Sequence, residues 1–443
     1  MTQNHKDLPV PLPQNEGPVD FGDGRRTDRL ELLKLECSNG RIQPSVTNIA
    51  TILDGLADWS GVFAYNELAD QIIVARQLPS TRGNPTLHRP RPLQDSDITK
   101  TRMWLERRMK WPKVSKSETF DAIDAAAREN VISPIRHYLE ALPLVATEDA
   151  RTYLVEVLNT HFGLREFNAH PDAIRFSQIA FRKWLISAVA RSFEAGCKAD
   201  HVLILEGPQG AGKSTAIRIL CGDDTFGDSV PPLNTKDAMD YVRGKWIIEL
   251  AELSSVSKAE VEHVKAYITR TEEKFRPAYA RTEVTYQRRC VFVGTTNRTD
   301  YLRDETGNRR FWPIKVEAIN HDLIRRDRDR IWAAAAALYR AGEAWWLTPD
   351  EAVLADAEQT KRTTVDPFYE EIAQWLDDTG KTKTCIAEVA RRFTPVEDVT
   401  VTATLSSHQQ HRIRGALIAS GYDSTGRRFS SGDYKGMTIF ERR

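Results

Sequence analysis

Lys213 and Ser214 close the run Gly207-Pro208-Gln209-Gly210-Ala211-Gly212-Lys213-Ser214, which matches G-x-x-x-x-G-K-[S/T] at every fixed position. Glycines at this spacing let the backbone curl until successive N–H groups point at phosphate oxygens, reinforced by the positive end of the following helix. A lysine at the seventh position reaches the β- and γ-phosphates, and the Ser214 hydroxyl is placed to ligate Mg²⁺. The context suits the motif. Val202-Leu203-Ile204-Leu205 before it reads as a buried strand, and Ser214-Thr215 through Leu220 reads as a helix. The pattern implies a bound nucleoside triphosphate.

A phosphate loop alone does not choose between kinase, GTPase and motor, so the downstream residues matter. Lys245-Trp-Ile-Ile-Glu249-Leu-Ala-Glu252 reads as a short buried strand ending in carboxylates, where such enzymes hold Mg²⁺ and polarise the attacking water. Arg289 to Gly294 reads as another apolar strand, ending in Thr295-Thr296-Asn297, with Asn297 placed to orient a water beside the γ-phosphate. Asp304 to Pro313 carries Arg309 and Arg310 on a glycine-containing turn, where arginines can act as fingers on a neighbouring subunit's nucleotide.

These segments, with Val264-Lys265-Ala-Tyr-Ile-Thr269 and Phe275-Arg-Pro-Ala-Tyr279-Ala-Arg281, resemble the virulence-associated E family of phage and mobile-element proteins. That family is similar to superfamily 3 helicases, AAA+-type ring ATPases of DNA replication. The resemblance is tight over about 182–316 and looser upstream, at Asn66-Glu67 and Ser133 to Glu140. Two departures stand out. Members often carry Trp-Asp-Gly where this chain reads Leu142-Pro-Leu-Val145, and the strand-end carboxylates usually adjoin, whereas Glu249 and Glu252 are three apart. Glu249 is favoured for the metal and Glu252 for the water, with the exchange of roles left open.

In superfamily 3 enzymes the interval between the two strands carries a DNA-gripping hairpin. Here it holds Lys265, Arg270, Lys274, Arg276, Arg281, Arg288 and Arg289, with Tyr267, Tyr279 and Tyr286 interleaved. Basic side chains engage phosphates and tyrosines stack on unpaired bases, so Lys265, Lys274, Arg276, Tyr279 and Arg281 are the expected contacts to single-stranded DNA. Glu272, Glu273 and Glu283 interrupt the stripe.

The elements that must position these residues follow from patterning. Residues 1–27 are rich in Pro and Gly and read as a flexible tail. A mainly helical module is expected over 28–147, with helices near 45–53, 96–110, 117–129 and 133–141 and a strand at Gly61 to Glu67. A helical bridge, 148–195, leads into an α/β nucleotide domain at 196–345, which the resemblance makes AAA+-type. Arg325 to Arg330 alternates in sign and reads as a solvated helix face. The last part, 346–443, reads as three helices and a two-strand ribbon, resembling a winged helix that would put its third helix in a DNA groove. A small helical cap that only packs or oligomerises is the other reading.

Composition sets outer bounds. The 443 residues have 62 basic and 62 acidic side chains, so any nucleic-acid surface must be local. Mean hydropathy is −0.47. The five cysteines are scattered without metal-ligand spacing, and no apolar run approaches membrane-spanning length. A cytoplasmic protein of a bacterial host is expected, without a membrane partner.

Three functions fit in descending order: an ATP- and Mg²⁺-dependent DNA helicase or translocase of a phage or mobile element, a DNA-binding ATPase acting as initiator or interference factor without unwinding, and a small-molecule kinase. The first implies a homo-oligomeric ring, a hexamer being one form of it, with a separate primase as the partner a replication role would draw on.

Overall fold

The computed structural model describes residues 33–79, 88–164, 170–233, 235–251, 258–276, 283–299, 301–302, 307–362, 367–393 and 407–442. The chain divides into two compact units, Met1–Arg362 and Thr363–Arg443.

The first unit begins with a short hairpin, β1 (Cys37–Ser38) and β2 (Arg41–Ile42). Helix α1 (Val46–Gly55) follows, its start set by Ser45, whose side chain accepts from the Asn48 N–H. Strands β3 (Phe63–Asn66), β4 (Gln71–Val74), β5 (Arg91–Pro92) and β6 (Val131–Ile132) form a sheet in the order β5-β4-β3-β6. It packs with α1, α2 (Asp95–Met109) and α3 (Lys116–Glu129) around Trp59, Phe63, Leu105 and Ile123. Helices make up most of the module's regular structure, and the small sheet adds strands beyond the one expected at Gly61 to Glu67. Its strands run two to four residues, too short for an alternating pattern to stand out.

Helices α4 (Pro134–Ala141), α5 (Thr147–Thr160) and α6 (Pro171–Phe193) lead into the second half of this unit. Most of α6 is buried, and Trp184 donates its indole N–H to the Phe292 carbonyl at 2.8 Å, tying the helix to the sheet below. That sheet has five parallel strands in the order β13-β7-β12-β9-β8. The strands are β7 (Val202–Glu206), β8 (Phe226–Gly227), β9 (Ile247–Ala251), β12 (Val291–Thr296) and β13 (Phe311–Lys315). Every residue of β7 is buried, as a parallel strand covered on both faces requires.

Helix α7 (Lys213–Cys221) follows β7, and α8 (Lys236–Tyr241) precedes β9. Between β9 and β12 lie α9 (Lys258–Thr269) and an antiparallel hairpin, β10 (Glu272–Phe275) with β11 (Val284–Gln287). Helix α10 (His321–Arg340) packs through Ala333 to Ala337, whose small side chains admit close approach of the neighbouring helices. It contains the sign-alternating run. Arg325, Arg326 and Arg330 are exposed, but Arg328 is buried and donates to the Leu220 carbonyl at 3.1 Å. Helix α11 (Pro349–Thr360) closes the unit.

The second unit contains α12 (Pro367–Thr379), β14 (Lys383–Thr384), α13 (Ile386–Phe393), α14 (Ser407–Ala419), β15 (Tyr422–Arg428) and β16 (Thr438–Arg442). Its sheet order is β14-β16-β15, all antiparallel, so a third short strand joins the expected ribbon. Ile372, Leu376, Val389, Ile413, Leu417 and Phe440 form its own core.

Candidate active site at the carboxyl ends of the parallel strands

Strands β7, β9 and β12 end side by side, with Thr296 level with Glu206 and Thr295 level with Ala251. In open parallel sheets this edge is where ligands bind. The loop Gly207 to Gly212 leaves β7 here and runs into the N-terminus of α7. Its glycines are each demanded by local geometry. A Cβ at Gly207 would lie 2.3 Å from the Val316 carbonyl oxygen, and Gly212, at φ +77°, would meet the His321 ring at 2.2 Å. Gly210 turns at φ +80° in open space.

Lys213 is the first residue of α7, and its ammonium donates to the carbonyls of Gly207 and Pro208, both at 2.8 Å. Burial lowers its pKa, while the nearby Glu249 charge opposes that shift. Pro208, Gln209, Gly210, Ser214 and Thr215 are exposed, and Ala211 is half-buried.

Glu249 is the junction of the site. It is 3% exposed, and one carboxylate oxygen, Oε1, accepts from Ser214 Oγ and Thr295 Oγ1, each at 2.6 Å. It sits in the middle of β9 rather than at the end expected from its sequence, since the strand runs on to Ala251. Asn297 stands just beyond β12 and is exposed. Glu252 lies outside the described residues, as do Tyr279 and Arg281.

Arg309 and Arg310 are elsewhere. They form a 3₁₀ turn, Asn308–Arg310, immediately before β13, and Phe311 pairs with Val202 at the start of β7. They therefore stand at the amino edge of the sheet, separated from the level of Glu206 by four residue steps, about 13 Å of strand. Arg309 is exposed, while Arg310 Nε donates to Thr269 Oγ1 at 3.1 Å. Together with Gly307, Asn308, Asp356 and Gln359 they line a polar cleft of about 330 Å³.

The basic interval divides in two. Lys274 and Arg276 are exposed on the hairpin, although Lys274 also pairs with Glu272 at 3.1 Å. Lys265 is only 4% exposed and binds Glu262 at 2.9 Å, so it is not presented to a passing strand. Tyr267 and Tyr286 are core residues whose hydroxyls donate to the Ala238 and Leu68 carbonyls, which removes them as stacking platforms. Arg288 is fully buried against Glu273 and Arg289 is paired with Glu67, so these two arginines hold the hairpin rather than a ligand.

Sequence reasoning missed Thr295, Glu206, Arg362, Tyr301 and His321. Thr295 lies near the end of β12, and its hydroxyl is the signal the sequence offers. Glu206, directly before the glycine loop, accepts from Tyr301 Oη and from both prongs of Arg362, which lies 156 positions away. The His321 ring Nε2 donates to the Gly212 carbonyl at 2.9 Å. No local pattern marks these three partners.

No curated protein matches the chain. Among solved structures, the A-form apo structure of the NrS-1 C-terminal region is 12% identical, with TM-score 0.42, over 86% of this chain and 96% of that one. A second apo structure of the same region gives 12%, 0.43, 86% and 95%. A JCV helicase with a bound acetamide compound gives 12%, 0.24, 60% and 80%. Residues 149–364, which include the glycine loop, Glu249, Thr295 and the arginine pair, match the virulence-associated protein E-like domain. Just under half of the chain thus carries a virulence-associated protein E-like domain.

Proposed function

We propose that the protein is an ATP-dependent DNA helicase or translocase, similar to superfamily 3 and AAA+ ring enzymes, serving replication of a phage or mobile element. The observation that carries this reading is the convergence of Lys213, Ser214, Glu249 and Thr295 where three parallel strands end. Gly207 to Thr215 would cradle the triphosphate. The lysine ammonium, turned onto carbonyls of its own loop, can exchange those contacts for β- and γ-phosphate oxygens.

The oxygen set suits Mg²⁺. Ser214 Oγ and Glu249 Oε1 are hard donors 2.6 Å apart, and this cation is commonly held by one or two carboxylates together with substrate phosphates. Bound there, it would supply charge neutralisation to the phosphates. Thr295 holds the Glu249 carboxylate in place, and Asn297 would orient the attacking water. Glu252 is assigned to activate that water.

The position of Arg309 and Arg310 at the opposite edge of the sheet favours action on a neighbour's nucleotide, and so a homo-oligomeric ring. Lys274, Arg276, Tyr279 and Arg281 would meet single-stranded DNA at the hairpin. A separate primase and a cytoplasmic site in a bacterial host belong to the same reading. Among the described residues, no helix is long and apolar enough to cross a membrane.

A second reading, an initiator or interference ATPase that binds DNA without unwinding it, is favoured by the C-terminal unit. Among its described residues the elements run helix, strand, two helices and two strands, an order that resembles a winged helix and would suit sequence-specific docking. ATP hydrolysis stimulated by single-stranded DNA, followed by strand displacement on a forked duplex, tests the proposal. Stimulated hydrolysis without displacement selects the second reading, and hydrolysis indifferent to DNA defeats both.

A further inference from the structure

Far along the chain from the glycine loop, α2 carries an aromatic and basic groove that the nucleotide chemistry does not use. Lys100, Met103, Trp104, Arg107 and Arg108 line it, and its volume is about 320 Å³, at the lower end of ligand-sized clefts. Their spacing places all five on neighbouring turns of the helix. Among the described residues, no carboxylate lines the groove.

Positive charge predominates there. From Asp95 to Lys113 the chain has six basic residues against three acidic, in a protein whose net charge is zero. The three acids are engaged elsewhere. Asp97 is buried and takes both prongs of Arg91, at 2.6 and 2.8 Å. Asp95 pairs with Lys116 at 2.8 Å, and Glu106 accepts from the Val114 N–H at 3.1 Å. Among the described residues, none forms an ion pair with Lys100, Arg107 or Arg108. Solvated surface arginines need no partner, but three cations around an aromatic ring make a more specific arrangement.

The ring is rigidly backed. Trp104 meets the fully buried Trp59 edge-on, with centroids 5.3 Å apart and planes at 80°, and Trp59 stacks on Phe63. Beside it Met103 is 42% exposed, a large apolar side chain left in water. Cations beside an aromatic surface match the chemistry of an unpaired polynucleotide.

We propose that this groove on α2 is a second binding site for single-stranded nucleic acid, separate from the β10–β11 hairpin. It rests on the reading that the protein acts on nucleic acid. Lys100, Arg107 and Arg108 engage consecutive phosphates, while Trp104 and Met103 take a base.

The test uses the full-length protein and a fluorescent oligothymidylate, with anisotropy measured over a series of salt concentrations. Two variants are compared with wild type: the triple substitution Lys100→Ala, Arg107→Ala, Arg108→Ala, and the single substitution Met103→Glu. Arg107, Arg108 and Met103 are exposed and Lys100 is half-buried at the groove, so the fold is kept, as unchanged thermal melting would verify. The triple variant is expected to bind more weakly and to lose about 2 from the slope of log K against log salt, three phosphate contacts at roughly 0.7 each. Met103→Glu is expected to weaken binding with a smaller change in slope. DNA-independent ATP hydrolysis should be unchanged in both. Wild-type affinity and slope in both variants overturn the groove, even if the face binds a protein. A wild-type protein that binds no oligonucleotide removes the nucleic-acid reading and the groove together.

Discussion

Arg362 grips Glu206 through two prongs, Nε and Nη2, and the pair is almost fully buried, at 4% and 3% exposure. Glu206 is the last residue of the strand that feeds the glycine loop, and Arg362 is the last residue of the first compact unit. The pair thus fastens the end of that unit to the base of the candidate site. Removing one partner leaves a buried charge uncompensated, so Arg362→Met should cost about 3–5 kcal/mol in denaturant unfolding. Adding Glu206→Leu should recover much of the loss, because Glu358, the other carboxylate that Arg362 pairs with, keeps Lys361 at 2.5 Å. Equal stability of Arg362→Met and wild type would show that the pair contributes nothing.

Glu249 and Thr295 make a separate prediction. Glu249→Gln should leave the fold intact and lower ATP turnover by two orders of magnitude or more. Thr295→Val removes only the hydroxyl that holds the carboxylate, so a fall of about 10–100-fold in metal affinity or turnover is expected. Mg²⁺ titration of the hydrolysis rate measures both. An unchanged Mg²⁺ dependence in Glu249→Gln would exchange its role with that of Glu252.

Lys213→Ala should abolish hydrolysis and sharply weaken nucleotide binding, since its ammonium is the mobile cation facing the terminal phosphates. Retained turnover in a clean preparation would remove the phosphate-loop assignment.

The separation of Arg309 and Arg310 from Lys213 yields a mixing experiment. Arg309→Ala or Arg310→Ala should keep ATP binding and lower turnover by about 10³-fold or more, as loss of an arginine finger does. A Lys213→Ala subunit still carries both arginines, so mixing it with an arginine variant should restore part of the activity. No recovery at any ratio, with sedimentation as a monomer in ATP and DNA, would leave the arginines structural.

His201 sets a pH dependence. It is buried, stacked on Trp312 with centroids 3.8 Å apart, and burial drives its pKa down to about 3. The unfolded chain protonates this histidine below about 6.5 while the folded one does not, so stability falls as pH drops from about 6.5 toward 3. The contribution is at most about 1.4 kcal/mol per pH unit. His201→Gln should flatten the stability profile between pH 6.5 and 5, above the range where most carboxylates titrate. A profile identical to wild type would assign that slope to other groups.

The chain's own chemistry determined the local parts of the site. Glycine spacing before Lys213 dictates a backbone that bends where a Cβ would collide, and the apolar run Val202 to Leu205, cut short by that glycine loop, reads as a strand buried on both faces. The helix start at Ser45 was legible for the same reason, since an N-cap bonds within its own first turn. Tertiary structure alone decided which distant groups meet. Residue type marks Tyr267 and Tyr286 as stacking platforms, but packing of α9 and the hairpin against the sheet buries both. Residue type marks Arg309 and Arg310 as fingers for a neighbour's nucleotide, and only the parallel register of β13 with β7 sets them at the edge far from their own chain's glycine loop. Glu206 and Arg362 obey no spacing rule, because their attraction depends on burial together in a low dielectric that exists only after the chain has closed around them.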